Sequence, residues 1–301
     1  MSRKNIILFS IIIVFPLILI AQSSVKGKTE YAGADTCKGC HDNYYKDFIK
    51  SVHGKKAVSG SPINREECES CHGPGAQHAE KGGGKEASIF SFGRKVDPNT
   101  KASKCLACHE ESKHLTSWDI GKHKSTGVSC DNCHSIHVAG NKSSKVNDPD
   151  VCYSCHKNIR ALQNKQSRHP VKEGRIKCSS CHEVHGGFGP KMVKADSVND
   201  LCYKCHAEKR GPYAFEHPPV QENCLNCHEI HGSNHSKLLV RKVPFLCQSC
   251  HTGTGHASRP YTNFHSYGGP ATSQKNKFFA RSCLNCHGNI HGSSRSRAFD
   301  R

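Results

Sequence analysis

All twenty cysteines of this 301-residue chain fall into ten Cys-x-x-Cys pairs, and a histidine directly follows each pair. Cys-x-x-Cys-His is the attachment signal for c-type haem. In one helical turn, cysteines at i and i+3 share a face, so both sulfurs can reach one edge of a porphyrin while the histidine at i+4 points at the iron. The spacing therefore predicts ten haem c groups.

Each motif is expected to supply two thioether sulfurs and one proximal iron ligand. The predicted thioether residues are Cys37, Cys40, Cys68, Cys71, Cys105, Cys108, Cys130, Cys133, Cys152, Cys155, Cys178, Cys181, Cys202, Cys205, Cys224, Cys227, Cys247, Cys250, Cys283 and Cys286. The predicted proximal ligands are His41, His72, His109, His134, His156, His182, His206, His228, His251 and His287.

Two other interpretations of the paired cysteines explain less of the pattern. Structural zinc sites usually take their second ligand pair from a distant segment, which leaves the adjacent histidines without a role. Exported cysteine-rich chains often form disulfides, but a disulfide scaffold also leaves ten histidines unexplained. Haem attachment accounts for both residue types.

The sixth ligand of each iron decides what the haems do. Ten of the 23 histidines belong to the motifs, and Met192 is the only methionine besides Met1. The other thirteen histidines are therefore the main candidates for distal ligands. A bis-His iron has no open position, so it changes oxidation state without binding a substrate. This ligation predicts electron transfer and no catalytic residue.

An internal repeat sorts these histidines into five tandem two-haem modules. Each module contains a motif, a lone histidine, a second motif and a closing histidine, with approximate bounds 31–100, 101–147, 148–197, 198–242 and 243–301. The distal ligands predicted in this way are His53, His78, His123, His137, His169, His185, His217, His231 and His291. In module five the spacing favours His265, although His256 lies closer to the motif. The haem that each distal histidine serves stays open at this stage.

Composition indicates how such a chain can fold. Only 35% of the residues are hydrophobic, there is one tryptophan, and the mean hydropathy is −0.64. Because this is poor material for a protein core, the haems must supply the core, and folding should depend on their attachment. We expect a multihaem cytochrome c fold: mostly coil with short α-helices, little or no sheet, and an elongated chain of ten haems.

The first 24 residues read as a secretory signal peptide, which leaves 25–301 as the decahaem domain. Arg3 and Lys4 precede an apolar run at 6–21, which Ser10 and Pro16 interrupt. An uncleaved anchor is the alternative. Either way the protein is expected to be exported to the periplasm.

Net charge would ordinarily suggest an anionic partner, since the chain carries +18 at pH 7. Haem propionates offset most of this charge, because each haem brings two carboxylates. The lysines are therefore expected to pair with propionates, and nucleic acid is not an expected partner.

With these motifs and this repeat, the chain resembles the decahaem c-type cytochromes of the MtrA and DmsE type. The resemblance covers nearly all of the mature chain and is strongest in "CYKCHAEKRGPYAFEHPPVQENCLNCHEIHGS", "LCQSCHTGTGHAS" and "RSCLNCHGNIHGS". In that family the module-five ligand lies in a "GHAS"-like stretch, which falls on His256. The resemblance thus favours His256 over His265 and leaves His114, His235 and His265 as spare histidines.

The resemblance also implies a function. Cytochromes of this type are electron conduits of anaerobic respiration that accept electrons from a periplasmic or inner-membrane cytochrome donor. They insert into an outer-membrane β-barrel porin and pass electrons to an extracellular multihaem cytochrome or reductase. Two alternatives use the same motifs: a soluble periplasmic shuttle or filament subunit, and a multihaem reductase, which would need a haem with an open distal face.

Overall fold

The computed structural model describes residues 30–84, 89–137, 146, 149–251 and 282–300. In these ranges the chain is mostly coil and turn with short helices, and no β-strand forms beyond isolated bridges. The predicted fold class is thereby confirmed. The predicted signal peptide and the positions His256 and His265 lie outside the described residues, and the module bounds stay a prediction.

Short helices account for the regular structure. The α-helices are α1 (Ala34–Lys50), α2 (Glu69–His72), α3 (Ala76–Glu80), α4 (Pro98–His109), α5 (Lys122–Ser125), α6 (Asp150–Tyr153), α7 (Lys157–Leu162), α8 (Cys178–Cys181), α9 (Val198–Tyr203), α10 (Pro218–Glu222) and α11 (Phe245–Gln248). The 3-10 turns are Val52–Gly54, Pro62–Asn64, Lys113–Leu115, Trp118–Ile120, Cys130–Asn132, Pro190–Met192, Ala207–Lys209, Cys224–Asn226, Ser236–Leu238 and Cys283–Asn285.

The haem motifs coincide with helical turns, as the cysteine spacing predicts. In each motif outside α1 and α4, the backbone N–H of the histidine donates to the carbonyl of the first cysteine, for example His182 to Cys178 at 2.9 Å. This bond closes one turn and places both sulfurs on one face. Short helices suffice because each motif needs only this turn.

Capping explains why α4 is one of the two long helices. Asp97 precedes it and accepts hydrogen bonds from the Thr100 backbone N–H at 2.8 Å and the Thr100 hydroxyl at 3.0 Å. Pro98 occupies the first turn, where its missing N–H costs nothing. The helix then runs into the third haem motif and ends at its histidine.

Apolar side chains form no ordinary core in the described part of the chain. The buried apolar residues there are Ala34, Phe48, Ala102, Trp118, Tyr153, Val171, Val193 and Val220. A connected cavity of about 4220 Å³ instead runs through the protein. The cysteines and histidines of the first eight motifs line it. The fold is thus built around this cavity.

Backbone bridges join segments that are far apart in sequence. Ser167 exchanges two backbone hydrogen bonds with Ser233, and Phe215 does the same with Ser293. Each bridge joins a segment ending in a lone histidine to one beginning with a closing histidine. These backbone hydrogen bonds therefore join neighbouring modules next to their candidate ligands. No helix among the described residues combines the length and apolar character needed to cross a membrane.

Candidate haem-binding sites

The imidazole rings of the candidate ligands face each other in pairs. Nine pairs have ring centroids 6.0 to 6.5 Å apart, and each joins one motif histidine to one predicted distal histidine. The pairs are His41–His78, His53–His109, His72–His137, His123–His156, His134–His185, His169–His206, His182–His231, His217–His251 and His228–His291. Metal–imidazole bonds are about 2 Å long, so each gap accommodates one metal ion between two nitrogens.

The pairing crosses the predicted module boundaries in both directions. The lone histidine of each of the first four modules faces the first motif histidine of the next module, as His169 faces His206. The closing histidine of modules two to five faces the second motif histidine of the preceding module, as His231 faces His182. Within the described residues, His78 is the one predicted distal histidine that faces a histidine of its own module, His41. Adjacent predicted modules thus exchange candidate ligands.

Hydrogen bonds fix the tautomer of several of these rings. Nδ1 of the lone histidines His123, His169 and His217 lies 2.9 to 3.0 Å from the carbonyl oxygen just before a closing histidine. Nδ1 of the motif histidines His182 and His228 lies 3.2 and 2.9 Å from the carbonyls of Lys191 and Lys237. A carbonyl can only accept, so Nδ1 carries the proton and Nε2 keeps its lone pair for a metal.

Burial favours the neutral form that a metal requires. It lowers the pKa of His134, His185 and His231, with a further contribution from a nearby histidine: His109 for His134, and the facing histidine for His185 and His231. Burial, followed by the nearby Lys209, lowers the pKa of His291 to about 4. These imidazoles are therefore neutral at pH 7 and available as ligands.

Consecutive motifs lie next to each other along the chain. Inside modules, the first cysteines of the two motifs are hydrogen-bonded in the pairs Cys37–Cys68, Cys105–Cys130, Cys202–Cys224 and Cys247–Cys283. Between modules, burial and then the charge of a neighbouring thiol raise the pKa of Cys71 (beside Cys108), Cys133 (beside Cys155), Cys181 (beside Cys205) and Cys227 (beside Cys250). These contacts link motifs one to five and six to ten in order.

In modules three to five, the glycine that follows the closing histidine has a backbone conformation and close neighbours that leave no room for a side chain. Gly186 and Gly232 have φ of +117° and +153°, and a Cβ added to either would lie 2.0 Å from the carbonyl oxygen of Ser117 or Leu162. Gly292 has φ of +144°, and its Cβ would lie 2.1 Å from the Tyr213 ring. Sequence reasoning missed this role, although the repeated His-Gly pair was its signal.

The structure brings together nine of the ten predicted distal ligands with nine motif histidines, whereas His256 lies outside the described residues. Neither His114 nor His235 belongs to a described ring pair; His114 is exposed and His235 is half-buried. No disulfide joins any of the twenty cysteines, all of which lie in the described residues. No group of three or more histidine, cysteine or acidic side chains in the described residues could hold a metal ion.

The residues present fit the covalent haem that the motifs imply. Each motif presents two thiols and one imidazole, and nine of these imidazoles lie opposite a second imidazole at a spacing that fits a shared metal ion. When bound, haem supplies a one-electron ferric–ferrous couple. The two cysteines of each motif would hold the porphyrin through thioether bonds, and the opposed imidazoles would supply the nitrogen ligands of its iron.

Comparison with known proteins gives matches along most of the chain. The family described as "Doubled CXXCH motif" matches residues 169–211 and 217–256, and the family described as "Cytochrome c-type protein NrfB-like" matches residues 68–150. "Cytochrome c-type protein NrfB" of Escherichia coli O6:H1 (strain CFT073) is 31% identical over 139 residues, which are 42% of this chain and 68% of that protein.

A longer match involves "Multiheme cytochrome MtrA" of Shewanella baltica (strain OS185). The two chains are 41% identical over 273 residues, which are 89% of this chain and 81% of the relative. Identity at this level over this length shows a shared family. The chain therefore belongs to the MtrA family of multihaem c-type cytochromes and transfers electrons through c-type haems.

Proposed function

We propose that each opposed histidine pair is the axial pair of one iron and that the protein carries ten bis-His haem c groups. The nine pairs support nine of these sites through their shared spacing, and hydrogen bonds fix the tautomer of one ring in five of the pairs. The tenth haem, on Cys283, Cys286 and His287, takes His256 as its distal ligand in this proposal. His256 is one of the two lone-histidine candidates of module five, beside His265, and it is the one that falls in the family-like "GHAS" stretch.

Electron transfer along the chain follows from the order of the sites. Thiol–thiol hydrogen bonds within modules, and electrostatic interactions between thiols of neighbouring modules, link consecutive motifs from the first to the fifth and from the sixth to the tenth. This near-continuous series is the single observation that carries the proposal of a molecular wire. Because both axial positions are closed at a bis-His iron, the haems exchange electrons and do not bind a substrate.

The wire crosses the periplasm and the outer membrane in our proposal. It receives electrons from a periplasmic or inner-membrane cytochrome, sits within an outer-membrane β-barrel porin, and delivers electrons to an extracellular multihaem cytochrome or terminal reductase in anaerobic respiration. Membership of the MtrA family supports this assignment. Export through a cleaved signal at 1–24 belongs to the same proposal.

The test identifies the proteins that form a complex with the holoprotein in its native host. Outer membranes are solubilised in mild detergent, intact complexes are resolved on a native gel, and bands that stain for covalent haem are identified by mass spectrometry. Migration of this chain with a β-barrel protein is expected. Recovery wholly in the soluble periplasm would overturn the conduit and indicate a periplasmic shuttle with the same haems.

A further inference from the structure

Acidic residues are rare between the paired cysteines of this chain. Among the ten motifs, only Glu69 and Asp131 place a carboxylate between the two cysteines. Both belong to second motifs, in modules one and two, where modules three to five have Ser179, Leu225 and Leu284. Both acidic residues line the cavity. The second and fourth motifs are thus the two that carry a carboxylate between their cysteines.

A lysine neutralises one of the two carboxylates. Asp131 forms an ion pair with Lys101 at 2.9 Å, and the lysine side chain is 7% exposed. The pair therefore places little net charge beside the fourth haem site.

Glu69 differs from Asp131 in its surroundings within the described part of the chain. It is 4% exposed and forms no ion pair with any described residue. Its carboxylate accepts backbone N–H bonds from Ala32 at 2.9 Å, Gly33 at 2.9 Å and Gly75 at 2.7 Å. Backbone N–H groups only donate, so the carboxylate oxygens are the acceptors in all three bonds.

The charge of Glu69 lies beside two haem sites. The residue sits between Cys68 and Cys71 of the second motif, and its bonds to Ala32 and Gly33 hold the start of α1, which carries the first motif. Burial, followed by the charge of Glu69, raises the pKa of the Cys37 thiol. Cys37 and Cys68 are themselves hydrogen-bonded.

We infer that Glu69 is a redox-tuning residue whose fixed, buried negative charge lowers the reduction potentials of the first and second haems. A negative charge in a low-dielectric site favours ferric over ferrous iron, because the ferric centre is one unit more positive. The paired Asp131 has no comparable effect on the fourth haem. This inference rests on the proposed haem loading but not on a porin, so loss of the conduit assignment would leave it intact.

The experiment is a potentiometric titration of the purified holoprotein, followed by visible absorbance. In Glu69→Gln, one or two of the ten one-electron components should move to higher potential while the others stay in place. Glu66→Gln is the matched control, because Glu66 is exposed and three residues away, and its titration should superimpose on the wild type. Superimposable curves for Glu69→Gln and wild type, or an equal shift in Glu66→Gln, would overturn the inference.

Two further variants separate charge from structure. Glu69→Asp keeps the charge and should keep the low potentials, whereas a shift equal to that of Glu69→Gln would assign the effect to lost hydrogen bonds and overturn the inference. Ile89 borders Gly75 together with Glu69, so Ile89→Lys brings an ammonium group to the carboxylate and leaves its backbone bonds in place. It should raise the same components even if Glu69→Gln fails to load haem, and unchanged potentials would contradict the inference.

Discussion

His231 faces His182 across 6.2 Å, although His228 is its near neighbour in sequence. Under the proposed ligation, His231→Ala opens the iron of the haem on Cys178 and Cys181 and leaves His228 paired with His291. Electron paramagnetic resonance of the oxidised protein should then show about one high-spin haem in ten, since a five-coordinate ferric haem is high-spin.

His235→Ala is the control for this substitution, because it removes a histidine only four residues away that belongs to no described ring pair. Its spectrum should stay entirely low-spin. High-spin signal in His235→Ala, or none in His231→Ala, would show that the facing rings are not the axial pairs.

Gly232→Ala tests the glycine that follows a closing histidine. The substitution forces a side chain into φ of +153° and places its Cβ 2.0 Å from the Leu162 carbonyl oxygen. Strained backbone alone costs roughly 1–3 kcal/mol, and the clash adds to it. We expect a lower denaturation midpoint, measured through the haem absorbance.

Gly174→Ala provides the comparison, because Gly174 has φ of +70° and nothing lies within 4 Å of an added Cβ. It should cost only the conformational penalty of about 1–2 kcal/mol. Equal losses in the two variants would mean that the close approach to Leu162 contributes nothing.

Among the elements, α4 offers a test through its cap. The Thr100 backbone N–H, followed by its hydroxyl, lowers the pKa of Asp97. An acid with a lowered pKa stabilises the fold at neutral pH, and this stabilisation is lost as the pH falls below about 4, the ordinary value for aspartate. Asp97→Ala should therefore lower the melting temperature at pH 7.

Asp97→Asn separates the cap from its charge, since asparagine also caps helices but does not titrate. The difference in melting temperature between the wild type and Asp97→Asn should shrink between pH 7 and pH 3. A difference independent of pH would show that the Asp97 charge does not stabilise α4.

The sequence was most informative about elements where the structure is local. A Cys-x-x-Cys-His spacing requires one helical turn, and that turn forms at Cys178–His182 and its equivalents. The bridge between Ser167 and Ser233 joins residues 66 positions apart through backbone atoms. Because no side chain takes part, the sequence pattern does not predict it. The partner of His231 was unpredictable for the same reason, because a spacing rule gives neighbours along the chain and not neighbours in space.

The whole molecule can be tested by dividing it at a module boundary. Separation between residues 197 and 198 leaves His182 in one half and His231 in the other, and likewise divides His169 from His206. Each half should carry one high-spin haem, and production of both halves together should restore low-spin spectra. Fully low-spin halves would contradict ligand exchange between modules.

The residues of the candidate site could be predicted from the sequence, but the pairing of motif and distal histidines could not. Counting histidines and recognising the five-module repeat identified nine distal candidates that lie in ring pairs. The choice between His256 and His265 stays a prediction, because both lie outside the described residues. The role of Glu69 was missed because the motif pattern treats the residues between paired cysteines as interchangeable. The structure distinguishes this position, because Glu69 is buried and no described residue forms an ion pair with it.

The exchange of ligands also bears on how a wire of this kind could lengthen during evolution. Each junction between the first four modules and their successors uses the same pair of exchanges, one forward and one backward. Duplicating an interior module would create another such junction. The copy would already contain a lone histidine for the module after it and a closing histidine for the module before it. The copied segment would extend the wire by two haems without leaving any iron short of a ligand, whereas a terminal addition would need the self-closing arrangement that His78 provides for His41.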